Sequence, residues 1–150
     1  MTPYFHDVDL LDGAVAWQTF YEDNGYSADK AIDGHTGVYN LPDCAHTFNG
    51  SSFWAVEFGT PGPVKKIEIY LRSDCCHSRN TNFRVTVSNT HDDAINDRGK
   101  LCGTYFGPAI DKEPFHLTIT CANTIYGKFL KIKHKMDDFM TLCEVLVHTP

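Results

Sequence analysis

The densest grouping of chemically capable side chains is Arg72-Ser-Asp-Cys-Cys-His-Ser-Arg79. Its guanidiniums supply planar forks of fixed N–H donors, and Asp74 between them can neutralise and orient one or both. Aimed outward, such a fork grips adjacent hydroxyls or a ring oxygen as well as it grips an anion. If Cys75 and Cys76 bond to each other, they form a stiff apolar sulfur plate beside those donors. An apolar shelf next to hydrogen-bond donors suits an amphipathic ligand. The same residues also fit a plainer role, an Arg–Asp ion pair stapling a loop.

The cysteines at Cys44, Cys75, Cys76, Cys102, Cys121 and Cys143 contain no C-x-x-C pair. Adjacent thiolates rarely share one tetrahedral metal, so disulfides are favoured over zinc. That implies an oxidising compartment and a secreted, extracellular product. Whether Cys75 and Cys76 pair with each other or with distant partners stays open at this level. The start, Met1-Thr-Pro-Tyr-Phe-His-Asp7, lacks the charged and apolar regions of a leader. The expectation is a mature domain behind an added Met1.

Composition narrows the classes. The 150 residues carry 13 Lys+Arg against 19 Asp+Glu, a formal charge of −6. Such a chain builds one core, so a single domain over 1–150 is expected. No basic face is available for nucleic acid. No apolar run approaches the roughly 20 residues that span a bilayer, so no membrane insertion is expected.

The elements that must hold the loop follow from periodicity. Lys66–Arg72 places Ile67, Ile69 and Leu71 on one face, and Phe83–Ser88 does the same with Phe83, Val85 and Val87. Phe115–Cys121, Phe129–Lys133 and Cys143–His148 repeat the alternation, with shorter candidates at Phe53–Phe58 and Leu101–Phe106. Period two with β-branched and aromatic residues means half-buried strands. Thr60-Pro-Gly-Pro63 and Gly107-Pro108 punctuate them. One helical turn is expected over Ser27–Ile32, capped by Ser27 and closed near Gly34. The fold class is therefore all-β, an antiparallel jelly-roll-like sandwich with short helical turns.

The stretch Arg72-x-Asp74-Cys75-Cys76-x-x-Arg79 resembles the sugar-binding signature of the F-type lectins, or fucolectins, whose fold is discoidin-like. Their upstream His corresponds to His46. Between His46 and Arg72 lie 25 residues, one fewer than the usual family spacing, which a one-residue loop deletion explains. Lys30-Ala-Ile-Asp-Gly34 and Leu142-Cys-Glu-Val145 resemble the family's A-I-D-G and C-E-V segments. The resemblance runs from about Ala16 to Val147 and implies the disulfides Cys44–Cys143, Cys75–Cys76 and Cys102–Cys121.

It also implies a function. His46, Arg72 and Arg79 would hold the ring oxygen and hydroxyls of L-fucose, with Asp74 fixing the arginines and the Cys75–Cys76 plate against the ring. Tyr39 is the candidate pocket wall. The methyl group of this 6-deoxy sugar suits an apolar contact, where a 6-hydroxyl would be desolvated without a partner. The family's structural calcium (Ca2+) would draw on Asp33 and Glu144 carboxylates and on carbonyls of Lys30, Asp43 and Cys143. His35 stands where the family often has Asn, so it would offer only its carbonyl, imidazole being a poor calcium ligand. Expected partners are fucosylated glycans on cell surfaces or glycoproteins, bound through several copies, as a homo-oligomer or in a tandem-domain parent chain.

The remaining candidates are assigned more plainly. Trp17 and Trp54 are expected in packing, and His6, His77, His91, His116, His134 and His148 at the surface or rim. Asn49-Gly-Ser51 is a glycosylation sequon. A glycosidase would need paired carboxylates across the scissile bond, and the loop offers only Asp74, so no enzyme is expected. The alternatives are a carbohydrate-binding module attached to a glycosidase and a discoidin-like domain for phospholipid or protein. The latter usually presents apolar loop tips, where this chain has Arg72, Asp74 and Arg79.

Overall fold

A strand with one apolar face must lay that face on a second layer. The computed structural model of the protein, which describes residues 9–19, 26–34, 41–47 and 52–150, does this with a single bent ladder. Strand β3 (Phe53–Leu71) pairs antiparallel with β6 (His116–His134), and both are 19 residues long. The register shifts between Glu57 and Gly62 and again between Val64 and Lys66. At this corner the ladder passes from one layer to the other.

In the first layer, β1 (Val15–Gln18) pairs with residues 54–57 of β3, and residues 53–57 of β3 pair with 129–133 of β6. β4 (Phe83–Ser88) follows on β6, and β5 (Lys100–Tyr105) forms the edge. In the second, residues 66–70 of β3 pair with 116–120 of β6, while β7 (Thr141–His148) lies on the other side of β3. The two-residue β2 (Ala45–His46) closes that side. Between the layers lie Trp54, Val56, Phe58, Ile67, Ile69, Leu71, Phe83, Val85, Leu130, Ile132 and Leu142, all buried. A Cβ on Gly59, at the corner, would meet the Asp12 carbonyl oxygen at 2.0 Å. Only glycine permits that approach.

Three disulfides complete the frame. Cys102–Cys121 ties β5 to β6, Cys44–Cys143 ties the 3-10 turn Leu41–Asp43 to β7, and Cys75–Cys76 is vicinal.

The structure differs from the sequence expectation in several elements. Phe53–Phe58 and Lys66–Arg72 are one strand, as are Phe115–Cys121 and Phe129–Lys133. Pro61, Gly62 and Pro63 look like a break because proline lacks a ladder donor, yet the chain stays extended through the bent corner. The helical turn is a 3-10 helix over Ala28–Ile32, and Ser27 does not cap it: its hydroxyl bonds the Asp29 carboxylate instead. Strands β1 and β2 are too short to carry a periodic signal. A helix absent from the sequence expectation, α1 (His91–Ile95), is capped by Thr90, whose side chain accepts from Asp93 N at 3.1 Å. Tyr39, His35, Asn49 and His6 lie outside the described residues.

Trp54 is fully buried, and its indole Nε1 donates to the Ala28 carbonyl at 2.9 Å, holding the 28–32 turn against the core. Trp54→Phe leaves that carbonyl without its donor. It is expected to cost about 1–3 kcal/mol in chemical denaturation; an unchanged unfolding midpoint would refute the link.

Candidate functional site

Because the ladder folds back at its corner, both of its open ends lie at one end of the sandwich. There Leu71 leads out of β3 into residues 72–82, His134 leads out of β6 into residues 135–140, and His46 ends β2 beside Thr141. The 72–82 loop is held from within. Cys76 has a left-handed backbone (φ 63), and its carbonyl accepts from Arg79 N at 3.0 Å. Buried Asn80 donates to the Ile110 carbonyl at 2.9 Å, and the Asn80 carbonyl accepts from Ile110 N at 3.0 Å.

On this frame the basic side chains converge. Arg72 makes a two-pronged bond to Asp74, Nε to Oδ1 at 2.6 Å and Nη2 to Oδ2 at 3.1 Å. Asp74 does not hold Arg79. That guanidinium pairs through Nε with Asp138 at 3.0 Å and lies over the Phe139 ring, 5.2 Å from its centroid. The plan of one aspartate for both arginines is thus corrected: the two side chains leave different turns of the loop, and a second acid arrives from the β6–β7 connection. Nη1 of Arg72 and both Nη atoms of Arg79 make no hydrogen bond among the described residues.

His46 is buried (4 % exposed). Its ring stacks on Phe139 at 5.0 Å, meets Tyr26 edge-on at 5.7 Å, and places Nδ1 2.9 Å from Thr141 Oγ1. Burial, reinforced by the nearby charges of Arg79 and Arg72 and opposed by Asp138, lowers its pKa to about 4. The imidazole is therefore neutral near pH 7. Asp74 is held below the usual carboxylate range by its bond to Arg72.

Sequence reasoning missed Asp138, Phe139, Thr141 and Tyr26, which no local spacing connects to Arg72. It also misplaced His134, which is fully buried rather than at the rim. Its Nε2 lies 3.1 Å from the Arg79 carbonyl and Nδ1 3.3 Å from that of Asp138, so the ring sits between the two loops that bear the ion pair, its single N–H donating to one of them. Of the other described histidines, His77 packs on Phe115, His91 stacks on Trp17, and His116 and His148 share the carboxylate of Glu68.

Glu144 is 2 % exposed. Its Oε2 accepts from Gly34 N at 3.1 Å, while Oε1 is buried without a hydrogen-bond partner among the described residues. Burial, together with the hydrogen bond and charge of Asp33, pushes its pKa up to about 8; the bond from Gly34 N works the other way. The turns Ala28–Ile32 and Leu41–Asp43 pack on β7 beside it. Two facing carboxylates, an orphaned oxygen and nearby turn carbonyls form a donor set that fits a hard cation.

The sequence profile of the NedA-like, galactose-binding domains matches residues 30–132. No curated relative matches the chain. Among solved structures, the serum fucolectin of striped bass (Morone saxatilis) is similar, at 23 % identity and a TM-score of 0.78 over 97 % of this chain. The chain spans half the length of that protein. A Streptococcus pneumoniae fucose binding module is 25 % identical, with a TM-score of 0.67 over 97 % of this chain and 98 % of its own. A family 32 carbohydrate-binding module of C. perfringens, in complex with galactose, is 19 % identical, with a TM-score of 0.72 over 94 % and 97 %. All share the β-sandwich fold.

The depressed pKa of His46 has a definite sign. Between about pH 4 and 6.5 the unfolded chain binds this proton and the folded one does not, so the contribution is complete above 6.5 and is lost as pH falls towards 4. A nuclear magnetic resonance titration of the imidazole is expected to give a midpoint near 4, and His46→Gln to flatten the fall of stability across that window. A midpoint near 6.5 would show that the ring is not buried beside the arginines.

Proposed function

The chain belongs to the family of NedA-like, galactose-binding domains, and on that premise we propose that it is a non-catalytic lectin whose loop-end site takes the terminal L-fucose of glycans. The observation that carries this reading is the gathering of His46, Arg72 and Arg79 beside the vicinal Cys75–Cys76 disulfide.

The charges of this cluster cancel. Arg72 is matched by Asp74 and Arg79 by Asp138, and His46 is neutral. A neutral sugar gains hydrogen bonds here without leaving any charge unpaired, whereas an anion would have to displace a carboxylate from its guanidinium. The uncommitted Nη groups serve as donors to adjacent hydroxyls, and the carboxylates keep the guanidiniums in place. The disulfide offers an apolar surface to the ring and its methyl group. His46 meets the sugar as a rigid neutral imidazole, its plane set by Phe139 and Thr141. Asp74, tied to Arg72 and held ionised, makes a poor general acid, which favours binding over hydrolysis. Tyr39 remains the proposed pocket wall.

We further propose calcium at Asp33 and Glu144, with carbonyls of Lys30, His35, Asp43 and Cys143. Bound there, the ion would neutralise the two carboxylates and fasten both turns to β7. The protein would act outside the cell, where its disulfides persist, on fucosylated cell-surface glycans or glycoproteins. An open single site binds a monosaccharide weakly, so avidity would come from several copies.

Arg72→Ala and Arg79→Ala are each expected to abolish retention on immobilised L-fucose. Both ion pairs are partly exposed, so the thermal midpoint should move by no more than about 4 °C. Retention by both variants, or elution of the native protein by free D-galactose and not by free L-fucose, would overturn the assignment. Calcium should raise the thermal midpoint of the native protein by several degrees over the chelated form, and Glu144→Gln should remove that difference. Identical melting with calcium and with chelator would dismiss the ion.

A further inference from the structure

The opposite end of the sandwich carries a second cavity. It has a volume of about 550 Å3 and is lined by Asn89, Lys100, Leu101, Asn123, Thr124, Ile125 and Tyr126. Asn89 follows the last residue of β4, and Lys100 and Leu101 begin β5. The other residues belong to the corner of β6, opposite Pro63 and Val64 of β3. The arginine loop precedes the first residue of β4. The length of that strand, about 17 Å, therefore separates the two places, and no residue is shared between them.

The chemistry of this cavity is specific. Tyr126 is 63 % exposed and Leu101 47 %, both unusual for apolar side chains on strands. The Tyr126 ring borders this cavity and also a smaller one of about 90 Å3 on the side of Arg98. Its backbone is fixed: Ile125 beside it is buried, and a Cβ on Gly127 would come within 2.5 Å of Val87. Around this exposed aromatic ring stand Asn89, Asn123 and Thr124. Their side chains make no hydrogen bond among the described residues. Lys100 is the one charged residue among the described residues lining the larger cavity. Arg98, nearby, is already occupied by Asp92 and Asp93.

We propose that this cavity is a second carbohydrate site, taking a neutral pyranose ring on the face of Tyr126. A pyranose has an apolar C–H face and a rim of hydroxyls that both donate and accept. An exposed tyrosine ring supplies the plate, and two amides and a hydroxyl supply both kinds of hydrogen-bonding group. The volume falls within the ~300–1,000 Å3 of ligand pockets. Lys100 is exposed to solvent, so its hydrated ammonium does not commit the cavity to an anion and can donate to a hydroxyl of a neutral ring. With sites at both ends, one copy of the chain can bridge two glycans, a second source of avidity besides oligomerisation. The proposal is independent of what the arginine site binds.

The test uses the full chain carrying Arg72→Ala, so that the first site is silent. Methyl glycosides of D-galactose, N-acetyl-D-glucosamine and D-mannose are titrated while backbone amide resonances are followed. At least one glycoside is expected to shift the amides of Asn89, Asn123 and Tyr126 in a saturable way, with weak, roughly millimolar affinity. Tyr126→Ala should abolish those shifts and Tyr126→Phe should retain them. The ring is largely exposed, so both variants fold. Silence of these amides towards all three glycosides overturns the proposal, as does persistence of the shifts in Tyr126→Ala. Neither result bears on L-fucose binding by the native protein, which reports on Arg72 and Arg79.

Discussion

Everything in this domain hangs on the antiparallel pairing of β3 with β6. Each strand has 19 residues, several times the usual five or six. The ladder reaches this length by bending: its register slips at Glu57/Gly62 and Val64/Lys66, and the hydrogen bonding resumes in the second layer. One ladder thus forms the middle of both sheets, and the core of Trp54, Ile67, Ile69 and Leu130 is enclosed in its fold. The ends that carry Leu71 and His134 come together, while the corner with Tyr126 is carried to the far side. The domain has two faces with separate chemistry because its central ladder has one bend.

At the arginine end, burial and charge balance act together. Each guanidinium has its own carboxylate, so neither brings an uncompensated charge to a half-buried place. The acids come from different segments: Arg72–Asp74 holds the 72–82 loop from within, Arg79–Asp138 joins it to residues 135–140, and His134 lies between carbonyls of the same two segments. The stack of His46 on Phe139 adds β2 to that assembly. On the proposed reading, the donors would in this way be fixed before any ligand arrives, which reduces the ordering cost of binding.

His46 and the buried carboxylate of Glu144 are connected by a short path. Cys44, two residues before His46, is bonded to Cys143, the neighbour of Glu144. On the proposed reading, an ion beneath the turns would steady the backbone that carries His46. Its positive charge would offset the desolvation that pushes the Glu144 carboxyl up and leaves Oε1 without a partner among the described residues.

Much of this was legible in the sequence where the signal is local. Alternating runs such as Lys66–Leu71 and Phe83–Ser88 specify strands, because side chains of an extended chain alternate between two faces. The spacing of Arg72, Asp74, Cys75, Cys76 and Arg79 identifies a candidate loop, since all of it lies within one connection. What the sequence could not decide depends on segments that meet only in the fold. Asp138 rather than Asp74 takes Arg79 because the β6–β7 connection is brought against the 72–82 loop. Pro61 and Pro63 interrupt a pattern without interrupting a strand, because a bent ladder tolerates residues that donate no hydrogen bond. His46, His134 and Glu144 look like ordinary polar residues along the chain. Their burial, which lowers the proton affinity of both imidazoles and raises that of the carboxylate, comes from the layers that close over them. Composition and periodicity determined the strands, the disulfide chemistry and the donor loop. Tertiary contact alone decided the partners and charge states, because desolvation and Coulomb energy depend on distance in space and not on distance along the chain.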